Sequence, residues 1–285
     1  MSLLKIYMEL SKVRITFAVS LTTLVGYLLK SGSVDARLWI TVGSLFLLAC
    51  GSAALNQYQE YDTDAKMKRT QNRPIPSGKI SPFHALIFAL SLIGVGSALL
   101  YIYSGFLAMQ LGILTLIWYN AIYTPLKKKS AFAVVPGSLI GALPPMVGYA
   151  AAGGSILDPQ IISFAFFMFM WQIPHFWLIV IRHGSDYQEG GFPSITAIYT
   201  EKQIKGITLV WVTATAVASV LMTVMGVLPA LSLKIVLLFI VIALVYAFSQ
   251  LFLQKGEGIK VFRYFMGINI YLLAVLVLIV VGVFV

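Results

Sequence analysis

Residues 37–74 read RLWITVGSLFLLACGSAALNQYQEYDTDAKMKRTQNRP, an apolar run of bilayer-spanning length that passes directly into an acidic and then a basic segment. Within it, Asn56, Glu60 and Asp64 recur at every fourth position, so their side chains project from one face if the helix continues beyond the apolar run. Stacked carboxylates repel one another unless a cation lies between them, and a divalent ion that bridges phosphate oxygens is the usual cation. The pattern predicts a transmembrane helix that ends in a reactive site, and therefore a membrane enzyme.

Eight further apolar segments of similar length accompany residues 37–57. The chain is 59% hydrophobic and 11% charged, with a mean hydropathy of +0.91, whereas soluble domains carry about 25% charged residues. Each segment is near the twenty or so residues that cross a bilayer. The further predicted spans are 14–30, 83–103, 105–124, 132–151, 159–181, 206–228, 231–253 and 263–284. The sequence therefore predicts an all-α integral membrane protein with nine transmembrane helices.

The distribution of basic residues predicts the orientation of these helices. Of the 20 Lys and Arg residues, seventeen fall at the N-terminus and the even-numbered connections, and three fall at the odd-numbered ones. Cytoplasmic loops carry this excess, so we expect the N-terminus inside and the C-terminus outside. Basic loops beside anionic lipid headgroups also account for the net charge of +10, and nucleic acid is not an expected partner. The single cysteine, Cys50, excludes an intrachain disulfide.

Two long cytoplasmic connections, after the second and sixth predicted helices, hold six of the ten acidic residues. Long polar connections in a compact protein are usually functional. Their equivalent positions suggest an internal repeat of four helices, about 14–130 and 131–253, followed by a last helix, within a single domain of residues 1–285. The fifth span contains Pro136, Pro144 and Pro145, so we expect a kinked helix that either packs tightly or shapes the wall of a cavity.

Basic residues suited to phosphate groups follow the acidic ones in the first of these connections, namely Lys66, Lys68, Arg69 and Arg73. A triple lysine, Lys127 to Lys129, lies at a cytoplasmic helix end, where it serves as an orientation anchor or helps to hold a diphosphate. For the second role Lys127 or Lys128 could lie beside Tyr123, and of the two we favour Lys128; Arg182 is a further cation from the connection after the sixth span.

The segment Trp171-Gln172-Ile-Pro174-His175-Phe176 places an ionisable histidine within a predicted span. Such a group is costly in a membrane and usually faces the interior. His175 could bond a backbone carbonyl in the core, ligate a haem iron or act as an acid. Farther along, Asp186 could complete a metal site opposite Glu60 and Asp64, whereas Glu189 fits a surface charge equally well.

Together these motifs resemble the UbiA superfamily of intramembrane prenyltransferases, and within it the protohaem IX farnesyltransferase (haem O synthase) branch. The similarity extends over residues 10–280, and the element at 171–176 is its most specific part. Matching stretches are Asp62-x-Asp64-x-x-Met67-x-Arg69-Thr70-x-x-Arg73-Pro74, Gly141-Ala142-x-Pro144-Pro145-x-x-Gly148 and Asp186-Tyr187-x-x-x-Gly191-x-Pro193. The sequence departs from the pattern at Glu60 for aspartate, Gly190 for a second aspartate, Ala133 for asparagine and Ser194-Ile195 for Met-Leu.

The resemblance implies a bundle of nine helices around a central cavity and transfer of a farnesyl group from farnesyl diphosphate to a vinyl group of haem b. It implies Mg²⁺, with Mn²⁺ as an alternative, held by Glu60, Asp64 and Asp186 and assisted by Asn56. The diphosphate would bind Lys68, Arg69, Arg73, Lys128, Arg182 and Tyr123. Haem would be held by His175, Trp171 and Gln172. It also implies a bacterial or archaeal plasma membrane, an active site toward the cytoplasm, and a haem A synthase or oxidase-assembly protein as partner.

Three other functions are compatible with parts of this pattern. The Arg73-Pro-Ile-Pro-Ser-Gly78 turn also suits a UbiA enzyme that prenylates an aromatic quinone precursor or a lipid alcohol. A cation-coupled transporter would need charges at the middle of the membrane, but the acidic residues here cluster at its surface. A non-catalytic haem chaperone would need His175 but not the three carboxylates.

Overall fold

The computed structural model describes residues 2–251 and 261–285, without the side chains of Ser185 and Tyr187. Two short helices, α1 (Leu3–Leu10) and α8 (Gly184–Glu189), accompany nine longer ones within these ranges. The nine are long and apolar enough to cross a membrane, which confirms the predicted fold class. They are α2 (Val13–Ser31), α3 (Ala36–Asp64), α4 (Pro82–Ser104), α5 (Phe106–Leu126), α6 (Val134–Ala151), α7 (Pro159–Arg182), α9 (Glu201–Val224), α10 (Leu231–Ser249) and α11 (Val261–Phe284).

Most helix bounds lie within a few residues of the predicted spans, but α3 continues seven residues beyond its apolar part. The connection to α4 is therefore shorter than the sequence suggested, and the acidic residues belong to the helix itself. The last two residues of the predicted span 231–253 lie outside the described residues.

The helix starts follow ordinary capping chemistry. Asp35 accepts a hydrogen bond from the backbone N–H of Leu38 at the start of α3, and Ser81 accepts one from His84 at the start of α4. Thr200 and Gln203 form a capping box at α9. Each cap satisfies backbone donors that would otherwise lack partners where the chain enters the apolar layer.

Close backbone approach holds α2 against α6 in the middle of the bundle. A Cβ added at Gly26 would lie 2.0 Å from the Pro145 carbonyl oxygen, and one at Gly148 would lie 2.0 Å from the Thr23 carbonyl oxygen. The Thr23 hydroxyl donates to the Pro144 carbonyl oxygen at 3.0 Å. Small residues and a hydroxyl at a helix crossing are typical of membrane bundles, in which packing replaces the hydrophobic effect.

Helix α6 is the most buried of the nine, with 61% of its apolar span inside the protein. It is interrupted at Ser138 and contains Pro144 and Pro145. By contrast α10 is only 22% buried, and residues such as Phe239 and Tyr246 project outward. The interior of the bundle is therefore organised around α6, whereas α10 presents an apolar surface to lipid.

Candidate active site

The acidic residues that the sequence singled out lie on one face of the last turns of α3. Asn56, Glu60 and Asp64 are all nearly inaccessible to solvent, with exposed fractions of 1%, 3% and 2%. They border one cavity of about 320 Å³. The predicted spacing thus brings these three residues together at the helix end.

Both carboxylates already have a cationic partner from another part of the chain. The Lys127 Nζ lies 2.7 Å from Glu60 Oε2, and Arg73 Nη1 lies 2.6 Å from Asp64 Oδ2. Asn56 Nδ2 also donates to Glu60 Oε2 at 3.0 Å, whereas Glu60 Oε1 is buried and has no hydrogen-bond partner among the described residues. Buried charges need such pairing, and the unpaired Oε1 retains the capacity to accept one more donor or a cation.

A third cation, Lys12, enters the same cavity from the junction of α1 and α2. Lys12 has a left-handed backbone conformation with φ of 47°, and its Nζ donates to Asn56 Oδ1 at 3.0 Å. The Tyr119 hydroxyl donates to the same oxygen at 3.0 Å. Burial, followed by the positive charges of Arg73 and Lys127, lowers the pKa of Lys12 to about 7. Lys12 was not among the predicted site residues, because nothing in its local sequence distinguishes it from other lysines at the surface. Its place in the cavity depends on its position between the end of α1 and the start of α2.

The cavity is lined by side chains of both charge signs. Its described lining residues are Glu9, Lys12, Ile15, Asn56, Gln57, Glu60, Asp64, Met67, Arg69, Arg73, Lys127 and Phe192. Four cations therefore face three carboxylates in a space of ligand size. This composition suits a phosphorylated headgroup together with a divalent cation.

The other residues predicted to bind diphosphate lie farther out. Lys68 pairs with Glu189 at 3.6 Å on the surface, and Lys128 is exposed. Arg182 lies over the Phe262 ring at 4.9 Å. None of these three cations is among the described lining residues, whereas the neighbouring Lys127 is. The sequence left two adjacent candidates, Lys127 and Lys128, and helix packing brings Lys127 to the cavity.

Asp186 is half-buried in α8 and is not among the residues that border the cavity. Within residues 2–251 and 261–285, no group of three His, Cys, Asp or Glu side chains lies close enough to hold a metal ion. Among the described lining residues, the structure thus brings Glu60 and Asp64 together without Asp186, and the role assigned to Asp186 stays a prediction.

A second group of site residues surrounds His175 in α7. Its ring lies 4.6 Å from the Trp171 ring, 5.1 Å from Phe265 and 5.6 Å from Phe176, measured between centroids. The Nδ1 atom is buried and has no hydrogen-bond partner in the described structure. Trp171 is itself fixed by its Nε1, which donates to the Ile268 carbonyl oxygen at 2.8 Å.

Gln172 occupies its position because the residue that faces it across the helix interface, Gly141, has no side chain. A Cβ at Gly141 would lie 2.0 Å from Gln172 Oε1. The predicted residues Trp171 and Gln172 are adjacent in α7, and His175 lies about one turn farther along. In this structure α7 packs against α6 and α11.

Stacked aromatic rings connect the two groups. Tyr119 stacks on Tyr123, and Tyr123 stacks on Phe176, with centroids 6.0 Å apart in both pairs. Residues 118–123 of α5 form a π-helical segment, which is common at functional sites because it rotates side chains out of the regular helical register. The histidine region and the charged cavity thus lie at opposite ends of one aromatic row.

A family profile and individual relatives of known name are similar to this chain over most of its length. The sequence profile of the UbiA prenyltransferase family matches residues 19–273. The protoheme IX farnesyltransferase of Oleidesulfovibrio alaskensis is 31% identical over 96% of this chain and 94% of its own length. That of Geobacter sulfurreducens is 39% identical over 64% of this chain and 67% of its own length.

Solved structures agree in fold. A digeranylgeranylglyceryl phosphate synthase superposes with a TM-score of 0.77 at 20% identity, over 100% of this chain and 99% of its own. A UbiA homolog from Archaeoglobus fulgidus bound to GPP and Mg²⁺ superposes with a TM-score of 0.69 at 13% identity, over 96% and 99%.

Proposed function

Because the chain belongs to the UbiA prenyltransferase family, we propose that it transfers a farnesyl group from farnesyl diphosphate to a vinyl group of haem b and so produces haem O. The observation that carries this proposal is the likeness to protoheme IX farnesyltransferases over nearly the whole chain. The two groups of site residues support it, since one suits a diphosphate and the other a flat, apolar acceptor with a metal-bound centre.

The diphosphate would occupy the charged cavity. Arg69 and Arg73 supply guanidinium groups that match phosphate oxygens, and Lys12 and Lys127 supply ammonium groups. On this proposal Lys127 takes the role that the sequence assigned to Lys128. The aromatic row and the apolar interior accommodate the isoprenoid tail.

The donor set at the end of α3 fits a divalent ion such as Mg²⁺ or Mn²⁺. Glu60, Asp64 and Asn56 provide oxygen donors, which Mg²⁺ prefers, and the buried Glu60 Oε1 has no hydrogen-bond partner in the described part of the chain. The fold relative from A. fulgidus was solved with GPP and Mg²⁺. When bound, the metal would neutralise the charge that develops on the departing diphosphate. Asp186 remains our proposed further ligand.

The chemistry breaks the C1–O bond, the π bond of the vinyl group and one O–H bond of water, and it forms a carbon–carbon bond and a carbon–oxygen bond. The C1–O bond of farnesyl diphosphate breaks, both electrons pass to the diphosphate oxygen, and positive charge spreads over C1 and C3. The π electrons of the haem vinyl group then form a carbon–carbon bond to C1. The charge moves to the carbon beside the porphyrin, where the oxygen of water bonds and a proton is released. Lys12, Arg69, Arg73 and Lys127 would stabilise the leaving group electrostatically.

The haem would lie beside α7, where the unpartnered Nδ1 of His175 can accept a hydrogen bond or ligate iron. Trp171 offers a flat apolar face, and Gln172 offers a polar contact for the rim of the porphyrin. The aromatic row between Phe176 and Tyr119 would shield the allylic cation from water until the carbon–carbon bond has formed.

We further propose that the charged cavity opens toward the cytoplasm of a bacterial or archaeal cell. The seventeen basic residues on one side of the predicted topology support this orientation. An enzyme of haem A synthesis or oxidase assembly would receive the product on this view. The single domain and its internal repeat of about 14–130 and 131–253 remain part of the proposal.

A product assay tests the proposed reaction. Detergent-solubilised protein is incubated with haem b, farnesyl diphosphate and Mg²⁺, and the extracted haem is analysed by mass spectrometry. We expect a haem that is heavier by one farnesyl and one hydroxyl group. The product should be absent without Mg²⁺ and with Asp64→Ala, and should persist with the exposed neighbour Asp62→Ala.

Unchanged haem from folded wild-type protein would overturn the haem assignment. The same protein would then be tested with aromatic quinone precursors and lipid alcohols, since prenylation of either would keep the family chemistry and change the acceptor.

A further inference from the structure

The turn Gly190-Gly191-Phe192, which follows α8, brings an aromatic ring to the charged cavity. Phe192 is 6% exposed and borders the cavity beside Glu60 and Lys127. Among the described lining residues it is the one aromatic side chain, since the other apolar ones are Ile15 and Met67. The ring therefore lies close to the place where the diphosphate would bind.

The two glycines are what allows the ring to reach this place. Gly191 has a φ of +75°, which glycine adopts without strain. A Cβ at Gly190 would lie 2.9 Å from Met67 Cγ and 3.0 Å from both Met67 Sδ and Phe192 Cδ2. A side chain at position 190 would have to displace the side chains of Met67 and Phe192 from the positions that they occupy here.

A positive charge already faces this ring. The Lys127 Nζ lies 5.9 Å from the Phe192 centroid and 5.7 Å from the Tyr123 centroid while it pairs with Glu60. An ammonium group at this distance is attracted by the negative face of the ring. The carboxylate of Glu60 and the rings of Tyr123 and Phe192 thus surround a cation in this structure.

We propose that Phe192 is a catalytic residue that stabilises the allylic cation formed when the C1–O bond of the prenyl diphosphate breaks. The inference rests on the proposed function and assigns a residue to its first step. The bonding electrons leave with the diphosphate, the positive charge remains on C1 and C3 beside the headgroup, and the ring face offsets part of that charge. The vinyl group of the acceptor then forms its bond to C1 and relieves the charge.

The other rings near the site are less suited to this role. Tyr123 and Phe176 stack on each other with an interplanar angle of 9°, and neither is among the described residues that line the cavity. Phe192 lies at the headgroup end, where C1 of a bound diphosphate must be.

The test compares Phe192→Leu, which removes the π face and keeps an apolar side chain, with Phe192→Trp, which keeps a π face. Phe132→Leu is the matched control, because Phe132 packs against Trp177 and Tyr199 away from the cavity. Two probes are titrated into each variant with Mg²⁺. One is farnesyl thiodiphosphate, whose tail is neutral, and the other is a farnesyl-like ammonium with inorganic diphosphate, which mimics the cation.

We expect Phe192→Leu to weaken binding of the ammonium probe by about 2- to 30-fold, the range of single cation–π contacts, and to leave binding of the thiodiphosphate unchanged. The single-turnover rate of C1–O cleavage should fall by a similar factor and recover in Phe192→Trp. Equal effects on both probes, or none on either, would overturn the inference.

Failure of the proposed function has a different signature, since wild-type protein would then form no farnesylated haem whatever the two probes show.

Discussion

Glu60 illustrates how individual side chains prepare this site. One carboxylate oxygen bonds Lys127 and Asn56, and the other is buried without a partner within residues 2–251 and 261–285. A buried carboxylate in this state is neutralised by the protein's own cation and still has room for an external one. Substrate binding would therefore redistribute existing ion pairs, since the same lysine suits both the carboxylate and a phosphate oxygen.

Lys127→Met should lower kcat/KM for farnesyl diphosphate by about 10- to 100-fold, because it removes a charge-assisted hydrogen bond at the cavity. Lys128→Met should change it by less than about threefold, since Lys128 is exposed. Steady-state kinetics of the two purified variants make the comparison. A larger loss in the Lys128 variant would show that the packing of this helix end differs from the one described.

His175→Ala should weaken haem binding by at least about tenfold and alter the haem absorption spectrum, because it removes the unpartnered Nδ1 from the aromatic surroundings of α7. Titration with haem in detergent, followed by absorbance, measures both effects. His84→Ala serves as the control because His84 is exposed at the start of α4. An unchanged spectrum in the His175 variant would remove this residue from the acceptor site.

At the scale of whole elements, the site depends on helices that depart from regular transmembrane rods. The end of α3 carries its carboxylates past the apolar layer, and the π-helical segment of α5 turns Tyr119 and Tyr123 toward α3 and α7. The tight crossing of α2 and α6 fixes the helix that follows Lys12. These irregularities place groups from distant parts of the chain within hydrogen-bond distance.

Gly148→Ala should destabilise the protein by about 1–3 kcal/mol, because its Cβ would lie 2.0 Å from a backbone oxygen of α2 and the helices would have to separate. Thermal unfolding in detergent, followed by light scattering or intrinsic fluorescence, detects the lower Tm. Gly43→Ala is the matched control, since a Cβ at Gly43 would meet nothing within 4 Å. Equal stability of the two variants would contradict the close crossing.

At the scale of the whole molecule, the bundle separates two chemical environments. The charged cavity lies at the helix ends near residues 56–73 and 127, and the histidine region lies along α7 between α6 and α11. Because the aromatic row joins them, a substrate with a charged head and a long apolar tail can reach both at once. A membrane-embedded enzyme needs this arrangement, since its substrates partition into the bilayer.

The proposed orientation predicts which loops face the outside. Ser155→Cys, between α6 and α7, should react with a membrane-impermeant maleimide on intact cells from which the outer wall has been removed, whereas Ser77→Cys should react only after lysis. Both positions are exposed in the structure. The native Cys50 is 3% exposed and gives little background, as the unsubstituted protein will show. The reverse labelling pattern would place the charged cavity outside the cell.

Much of the fold follows from local sequence patterns. Segments of about twenty apolar residues specify helices of bilayer length, and the fourfold spacing of Asn56, Glu60 and Asp64 specifies one face, because both depend only on the geometry of a single helix. The prolines of α6 similarly indicated an irregular helix, which the structure shows interrupted at Ser138. The sequence could also identify the segment around His175 as unusual, because an ionisable residue inside a membrane span is rare.

Contacts between helices distant in sequence were decided by tertiary packing. The sequence alone could not select Lys127 over Lys128, bring Lys12 beside Asn56, or leave Asp186 outside the lining of the cavity. Phe192 was equally inaccessible to sequence reasoning, because its place depends on a glycine turn that closes against Met67. Local periodicity determines which side of a helix a residue occupies, but the rotation and crossing of neighbouring helices determine what that side touches.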